Sequence, residues 1–179
     1  MGGLWMNYLY DLNYYENLLK MYSKSAEQIN NIRWEFISDI NPKVVLDYGS
    51  GVGWFRAYRP KDVEVYSYDI GNFPQTGIEL RMYDVVCFWD VIEHVPDFTI
   101  LESILNLSRH VAITLPIYEE NVENLEAWKH FKPNEHLHYF TKKSLVALLN
   151  KYFFEEIKSG QPECPPRQDI WSFLFKRSK

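Results

Sequence analysis

The stretch Val44-Val45-Leu46-Asp47-Tyr48-Gly49-Ser50-Gly51-Val52-Gly53 constrains this chain more than any other. A short apolar run without alternation reads as a strand buried on both faces, which is the habit of parallel sheets. The glycines at 49, 51 and 53 let the backbone turn sharply and let a ligand approach it closely. A helix then opens and must stop by Pro60, so it covers about Val52 to Arg59. Strand, glycine turn and helix in that order form the junction at which open α/β sheets hold their ligands.

The spacing selects the ligand class. A dinucleotide fingerprint needs G-x-G-x-x-G, whereas the glycines here fall as G-x-G-x-G; a phosphate-binding loop needs Gly-Lys-Ser/Thr, which is absent. Asp47, at the strand end, would repel a pyrophosphate and attract a ligand carrying an ammonium and a sulfonium. The junction therefore suits a cationic amino-acid nucleoside.

The rest of the chain extends the same architecture. Leu12, Tyr15, Leu19 and Tyr22 recur at helical spacing, as do Ile29, Ile32, Phe36 and Ile40 after a break at Ser23 to Ser25, giving two N-terminal helices that end at Asn41-Pro42. Strands are expected near Val63 to Asp69, Val85 to Phe88, Val111 to Leu115, Phe153 to Lys158 and Ile170 to Lys176. Helices are expected over Ile100 to Leu107 and Leu145 to Tyr152, the latter capped by Thr141. Alternating strands and helices imply a Rossmann-like α/β fold, a mostly parallel sheet covered by helices on both faces, with a last strand that can run antiparallel. A chain of 179 residues holds one such domain, residues 43–179 forming the core and 1–42 a helical lid.

Composition narrows the partners. A net charge of -5 with scattered lysines and arginines offers no footprint for nucleic acid. No apolar run reaches the roughly 20 residues of a membrane span and the start lacks a signal-peptide pattern, so the expected location is cytoplasmic. Cys87 and Cys164 show no metal spacing and read as reduced thiols. Aromatic residues make up 17% of the chain and crowd its start, from Trp5, Tyr8 and Tyr10 through Tyr14, Tyr15 and Tyr22 to Trp34 and Phe36. Most suit a packed lid, and one or two tyrosines are expected to reach the acceptor pocket.

With these residues in view, Val44 to Gly53 resembles motif I of the class I S-adenosylmethionine-dependent methyltransferases, and Val63 to Asp69 resembles their second strand with its terminal acid. Tyr83 to Asp97, containing Asp90-Val91-Ile92-Glu93-His94-Val95-Pro96, and Glu135-His136-Leu137-His138-Tyr139-Phe140-Thr141 are similar to two blocks of the ubiquinone-biosynthesis O-methyltransferase-like group. The resemblance implies S-adenosylmethionine as methyl donor and a small-molecule acceptor, methylated at a hydroxyl oxygen before a nitrogen or carbon. It also implies the donor contacts: Asp47, Tyr48, Gly49, Ser50, Gly51 and Gly53 at the methionine end, Asp69 and the adjoining Ile70 at the ribose, and Phe88, Trp89, Asp90 and Val91 beside the sulfonium.

One departure stands out. Only 13 residues separate Asp69 from Tyr83, while a crossover alone takes at least about 10 to 12. One βα unit is therefore expected to be missing, leaving six strands where the family has seven and giving Asn72, Gln75 or a backbone amide the contact to adenine. A rival alignment makes Asp69 the later, adenine-side acid and drops the second strand instead; the pattern Val63-Glu64-Val65-Tyr66-Ser67-Tyr68 favours the first. The shortened core also admits a second reading, a donor-binding module without turnover.

Methyl transfer is an in-line displacement that depends mainly on alignment, and a base is needed where the acceptor must lose a proton. Histidine suits that task near neutral pH, and His138 is ranked first and His94 second because both lie in family-like blocks. His136-Leu137-His138 with Glu135 has zinc-ligand types, but alternate residues of an extended segment share a face without a metal, and no metal is expected.

Overall fold

The computed structural model describes residues 12–71, 77–119, 124–165 and 167–178. Asn72 and Gln75, and Trp5, Tyr8 and Tyr10 of the aromatic start, lie outside them. Helices α1 (Leu12–Tyr22) and α2 (Ala26–Phe36) come first, followed by a 3₁₀ turn, Ser38–Ile40, and Asn41 in the left-handed region at φ 45°. The second helix thus stops short of Ile40, and Asn41, a residue that tolerates this conformation, redirects the chain into Pro42. Strand β1 (Val44–Tyr48), helix α3 (Trp54–Ala57) and strand β2 (Glu64–Tyr68) follow. Helix α3 is half as long as expected because Gly53 at φ 82° delays its start.

The second half comprises β3 (Tyr83–Trp89), α4 (Thr99–Leu105), β4 (Ser108–Pro116), α5 (Lys142–Lys151), β5 (Phe154–Gly160) and β6 (Ile170–Arg177). Thr141 caps α5 as expected, with a reciprocal box: its hydroxyl accepts from the Ser144 amide at 3.1 Å while the Ser144 hydroxyl accepts from the Thr141 amide at 3.0 Å.

The six strands form one sheet in the order β2-β1-β3-β4-β6-β5, with β1, β2, β3 and β4 parallel and β6 antiparallel to both its neighbours. Because β2 pairs directly with β1, Asp69 follows the second strand, as the preferred alignment required. The described parts of 70–82 contain neither helix nor strand, so the sheet ends at β2.

Alternation along the strands divides the core. Leu46, Val86, Phe88, Ile113 and Phe173 face α4 and α5, while Val45, Val85, Cys87, Trp89 and Leu174 face α2 and α3. On the second face Trp34 stacks on Phe55 with ring centroids 4.1 Å apart, and its indole N–H donates to the Phe55 carbonyl at 2.9 Å. That packing holds α2 across the carboxyl ends of β1 and β3. No helix among the described residues is long and apolar enough to cross a membrane.

Candidate active site

A cleft of about 740 Å³ opens at the carboxyl ends of β1, β2 and β3. At one end the glycine turn forms its wall. Gly49 and Ser50 donate their amides to the Tyr68 carbonyl at 2.7 and 3.0 Å, which clips the turn to β2. Gly49 has φ 78°, and a Cβ there would collide with Val91, so only glycine fits. Where Gly51 and Gly53 would carry a Cβ there is open space, leaving the backbone accessible.

Asp47 lines the cleft at this end although its residue is 1% exposed, and Oδ2 has no hydrogen-bond partner among the described residues. Burial raises its pKa to about 7, against the pull of the Arg33 guanidinium and with the help of Asp69. A buried carboxylate oxygen without a partner is costly, and an ammonium in the cleft would satisfy it. The residues present therefore fit the methionine end of S-adenosylmethionine.

Asp69 accepts from donors on three segments. Its Oδ2 accepts from the Gly51 amide at 2.6 Å; its Oδ1 accepts from the Gly71 amide at 2.8 Å and from the Tyr15 hydroxyl at 2.5 Å. Tyr14 and Tyr15 of α1 both line the cleft, but Tyr15 does so at Asp69 and not at the acceptor end where one or two tyrosines were expected. Ile70, Trp89, Asp90 and Val91 line it too. Phe88 does not: it is 1% exposed within the core on the opposite face of β3, where alternation sends every second side chain. Gly53 lies at the end of the turn and caps α3 rather than lining the cavity.

Asp90, in the left-handed region at φ 59°, belongs to an ion network. Arg33 reaches its Oδ2 at 2.9 Å, Arg167 reaches Oδ2 and Oδ1 at 3.0 and 2.8 Å, and both arginines also bind the buried Glu163, at 2.8 and 2.6 Å. Burial alone would raise the Asp90 pKa, but the two guanidinium groups overcome it and hold the value at about 2. The network ties α2 to β3 and to the loop between β5 and β6. Arg33 and Arg167 both line the cleft; the Glu163–Arg167 pair is local, four residues apart, whereas Asp90 and the partners of Arg33 lie far away in the chain.

The opposite end is built from the turn after β3 and the segment before α5. The backbone carbonyl of Glu93 accepts from the amides of Leu137 and His138 at 2.8 and 3.1 Å, which clips the two family-like blocks together. His94 and His136 line the cleft, their rings 4.9 Å apart and edge to face. His94 Nδ1 lies 2.8 Å from the Glu135 carbonyl, and His136 Nδ1 lies 2.9 Å from the His130 carbonyl. A carbonyl only accepts, so each ring carries its proton on Nδ1 and its lone pair on Nε2. Burial lowers the pKa of both, that of His136 to about 4 with the neighbouring His94 contributing. Glu93 is 1% exposed, and burial, aided by the Asp90 charge, pushes its pKa well above the carboxylate range.

His138 is a correction. Its Nε2 donates to the Val95 carbonyl at 2.8 Å, its ring packs 4.5 Å from that of Phe98, and it does not line the cleft. In an extended segment His136 and His138 were expected to share a face; the chain turns between them, so that one enters the cleft and the other braces its wall. His136 and His130, neither of them ranked from the sequence, both line the cleft. The ligand-type cluster also differs from the one considered: Glu93, His94 and His136 each offer one ligand atom within 4.8 Å of the others, and Glu135 and His138 take no part.

Comparison with known proteins agrees with this fold. Residues 22–158 match the model of a methyltransferase domain family. No curated protein matches the chain in sequence. The fold is similar to magnesium protoporphyrin IX methyltransferase from Synechocystis, at 14% identity and TM-score 0.71 over 98% of this chain and 99% of that one. It is also similar to 1,6-didemethyltoxoflavin-N1-methyltransferase from Burkholderia thailandensis, at 15% identity and TM-score 0.64 over 92% and 87%. A third is human N-acetylserotonin methyltransferase, at 11% identity and TM-score 0.67 over 93% of this chain and 55% of that one. The fold and its cleft define an α/β domain of the methyltransferase type. The chain belongs to the methyltransferase-domain family, whose class, the S-adenosylmethionine-dependent methyltransferases, is the one its motifs resemble.

Proposed function

We propose that the chain transfers a methyl group from S-adenosylmethionine to a hydroxyl oxygen of a small-molecule acceptor. The observation that supports this most is one cleft with two chemically different ends, the buried Asp47 carboxylate beside open glycine backbone at one and the paired imidazoles of His94 and His136 at the other. In this reading Asp47 faces the donor's ammonium, the backbone of Tyr48, Gly49, Ser50 and Gly51 wraps the methionine end, and Asp69 accepts from the ribose hydroxyls. Ile70 lies beside the nucleoside, and Trp89 and Val91 border the sulfonium. Helices α1 and α2 act as the lid.

When bound, the donor supplies an electrophilic methyl carbon, so that an O–C bond forms as the C–S bond breaks and the electron pair stays on sulfur. The protein's part is to bring acceptor and methyl to about 3 to 3.5 Å and to manage the hydroxyl proton. His94 suits the second task better than His138, because it lines the cleft and burial keeps its imidazole neutral at pH 7. The neighbours named above act on small molecules, and two of them were solved with S-adenosylhomocysteine. The shortened sheet favours one other reading, a donor-binding module without turnover.

A structure soaked with S-adenosylhomocysteine tests the assignment. The sulfur is expected to point toward His94 and His136, with empty volume between them for the acceptor. A sulfur directed to solvent, or buried against protein with no such volume, would leave the module reading in place.

A further inference from the structure

We infer that Glu93, His94 and His136 form a divalent-cation site at the acceptor end of the cleft, one that takes a borderline transition cation such as Zn²⁺ and leaves coordination positions open toward the acceptor. The inference rests on the methyltransferase reading and gives the two imidazoles a cation to hold, in place of the acceptor's proton.

Three features of the site carry it. The first is proximity: one nitrogen from each histidine and one oxygen from Glu93 lie within 4.8 Å of one another, and His94 Nε2 stands 3.9 Å from Glu93 Oε1. A tetrahedral ion with bonds of about 2.0 to 2.2 Å separates its ligand atoms by about 3.5 Å, so side-chain rotations that draw the atoms in by about 1 Å complete the set. The second is tautomer control. Both Nδ1 atoms donate to backbone carbonyls, of Glu135 and His130, which leaves Nε2 of each ring as the nitrogen able to ligate; fixing a ligand histidine through its other nitrogen is the usual support for a metal. The third is an uncompensated group: Glu93 Oε2 is buried and has no hydrogen-bond partner among the described residues, while the residue itself lines the cleft.

The charges around the cluster fit a cation held between these three residues. Asp90, the next carboxylate, is already saturated by Arg33 and Arg167, and Glu135 pairs with Lys132 at 3.2 Å. Two imidazoles and one carboxylate with open positions suit a transition cation better than Mg²⁺ or Ca²⁺, which prefer oxygen ligands. An acceptor hydroxyl taking an open position would be oriented toward the donor and acidified by the ion, its proton passing to solvent. The acceptor class this selects is a small molecule with a metal-binding oxygen at or beside the methylated position.

The test uses Zn²⁺ by equilibrium dialysis with metal analysis, and Co²⁺ as a coloured probe read by its visible absorption, on the wild-type chain and on Glu93→Gln and His136→Ala. S-Adenosylhomocysteine affinity is measured on the same samples. The wild type should retain one equivalent of Zn²⁺ and give a Co²⁺ spectrum of a low-coordinate N/O site, and each variant should bind more than about tenfold more weakly while keeping its affinity for S-adenosylhomocysteine. Absence of metal binding in a wild type that still binds S-adenosylhomocysteine overturns the cation site alone, as does Zn²⁺ binding unchanged in both variants. Loss of S-adenosylhomocysteine binding in the wild type itself would instead count against the methyltransferase reading.

Discussion

The two ends of the cleft are built by opposite means. The donor end is mostly local: Asp47 near the end of β1 and Gly49 and Gly51 in the turn after it lie within five residues, while Asp69 comes from the end of the adjacent strand and Tyr15 of α1 reaches it from afar. The acceptor end is assembled from afar, with Glu93 and His94 after β3, His136 ahead of α5, and Arg33 and Arg167 meeting at Asp90 from opposite ends of the sequence. A ligand common to many proteins can be held by backbone geometry, which one short motif encodes. A particular acceptor needs side chains converging from several segments, and these follow from the packing. The difference predicts that lesions at one end should spare the other.

The largest expected effect is at the acceptor end. His94→Ala should cut turnover by roughly 10² to 10⁴-fold, with S-adenosylhomocysteine affinity unchanged by calorimetry. A matching fall in donor affinity would erase the distinction between the ends.

Next is Arg33→Ala, which leaves Glu163, whose side chain is 0% exposed, to Arg167 alone and removes one of the two guanidinium groups on Asp90. Breaking such a buried pair should lower unfolding stability by about 3 to 5 kcal/mol, read by denaturant titration. A change below about 1 kcal/mol would mean that Arg167 suffices.

At the donor end, pH is the lever. With its pKa raised to about 7, Asp47 is protonated in the donor-free protein below that value, and only the ionised form attracts an ammonium. S-Adenosylhomocysteine affinity should therefore hold above about pH 7 and fall by up to about tenfold for each unit below it, whereas Asp47→Asn should show weaker binding without this dependence. The same group has the opposite sign for stability. An acid whose folded pKa lies above its unfolded value of 3.8 destabilises the donor-free fold progressively as pH rises from about 4 to 7.

The smallest effect concerns Tyr15. The Asp69 carboxylate, with about four lone-pair positions, already accepts from Gly51, Gly71 and Tyr15. A ribose diol needs two, so the side-chain donor must yield. Tyr15→Phe should tighten S-adenosylhomocysteine binding by about 0.5 to 1.5 kcal/mol; weaker binding would show instead that the hydroxyl helps to hold the ribose.

The same contrast explains what the sequence made legible. The run of β1, the glycine turn and the spacing from Asp69 to Tyr83 made the sheet and its shortened edge legible and pointed to the proposed donor contacts, because each depends on residues close in the chain. Phe88 was misplaced since a motif names a strand end without saying which face each residue takes, and β3 alternates it into the core. His138 was misjudged because the turn that separates it from His136 is set by the Glu93 carbonyl, some forty residues earlier. In the Arg33, Asp90, Arg167 and Glu163 network only the four-residue spacing of Glu163 and Arg167 is local; the contacts that join them to Asp90 and Arg33 cross the chain and leave no signal in it.

The most direct test of the central claim, that the β1 turn with Asp69 holds the donor, is calorimetric titration of S-adenosylhomocysteine into the wild-type chain and into Asp69→Ala, with folding of the variant checked by circular dichroism. The wild type should bind, and the variant should bind more weakly by about 1.5 to 3 kcal/mol, the worth of a hydrogen bond to a charged group. No binding to the folded wild type, or equal affinity in a folded variant, would contradict it.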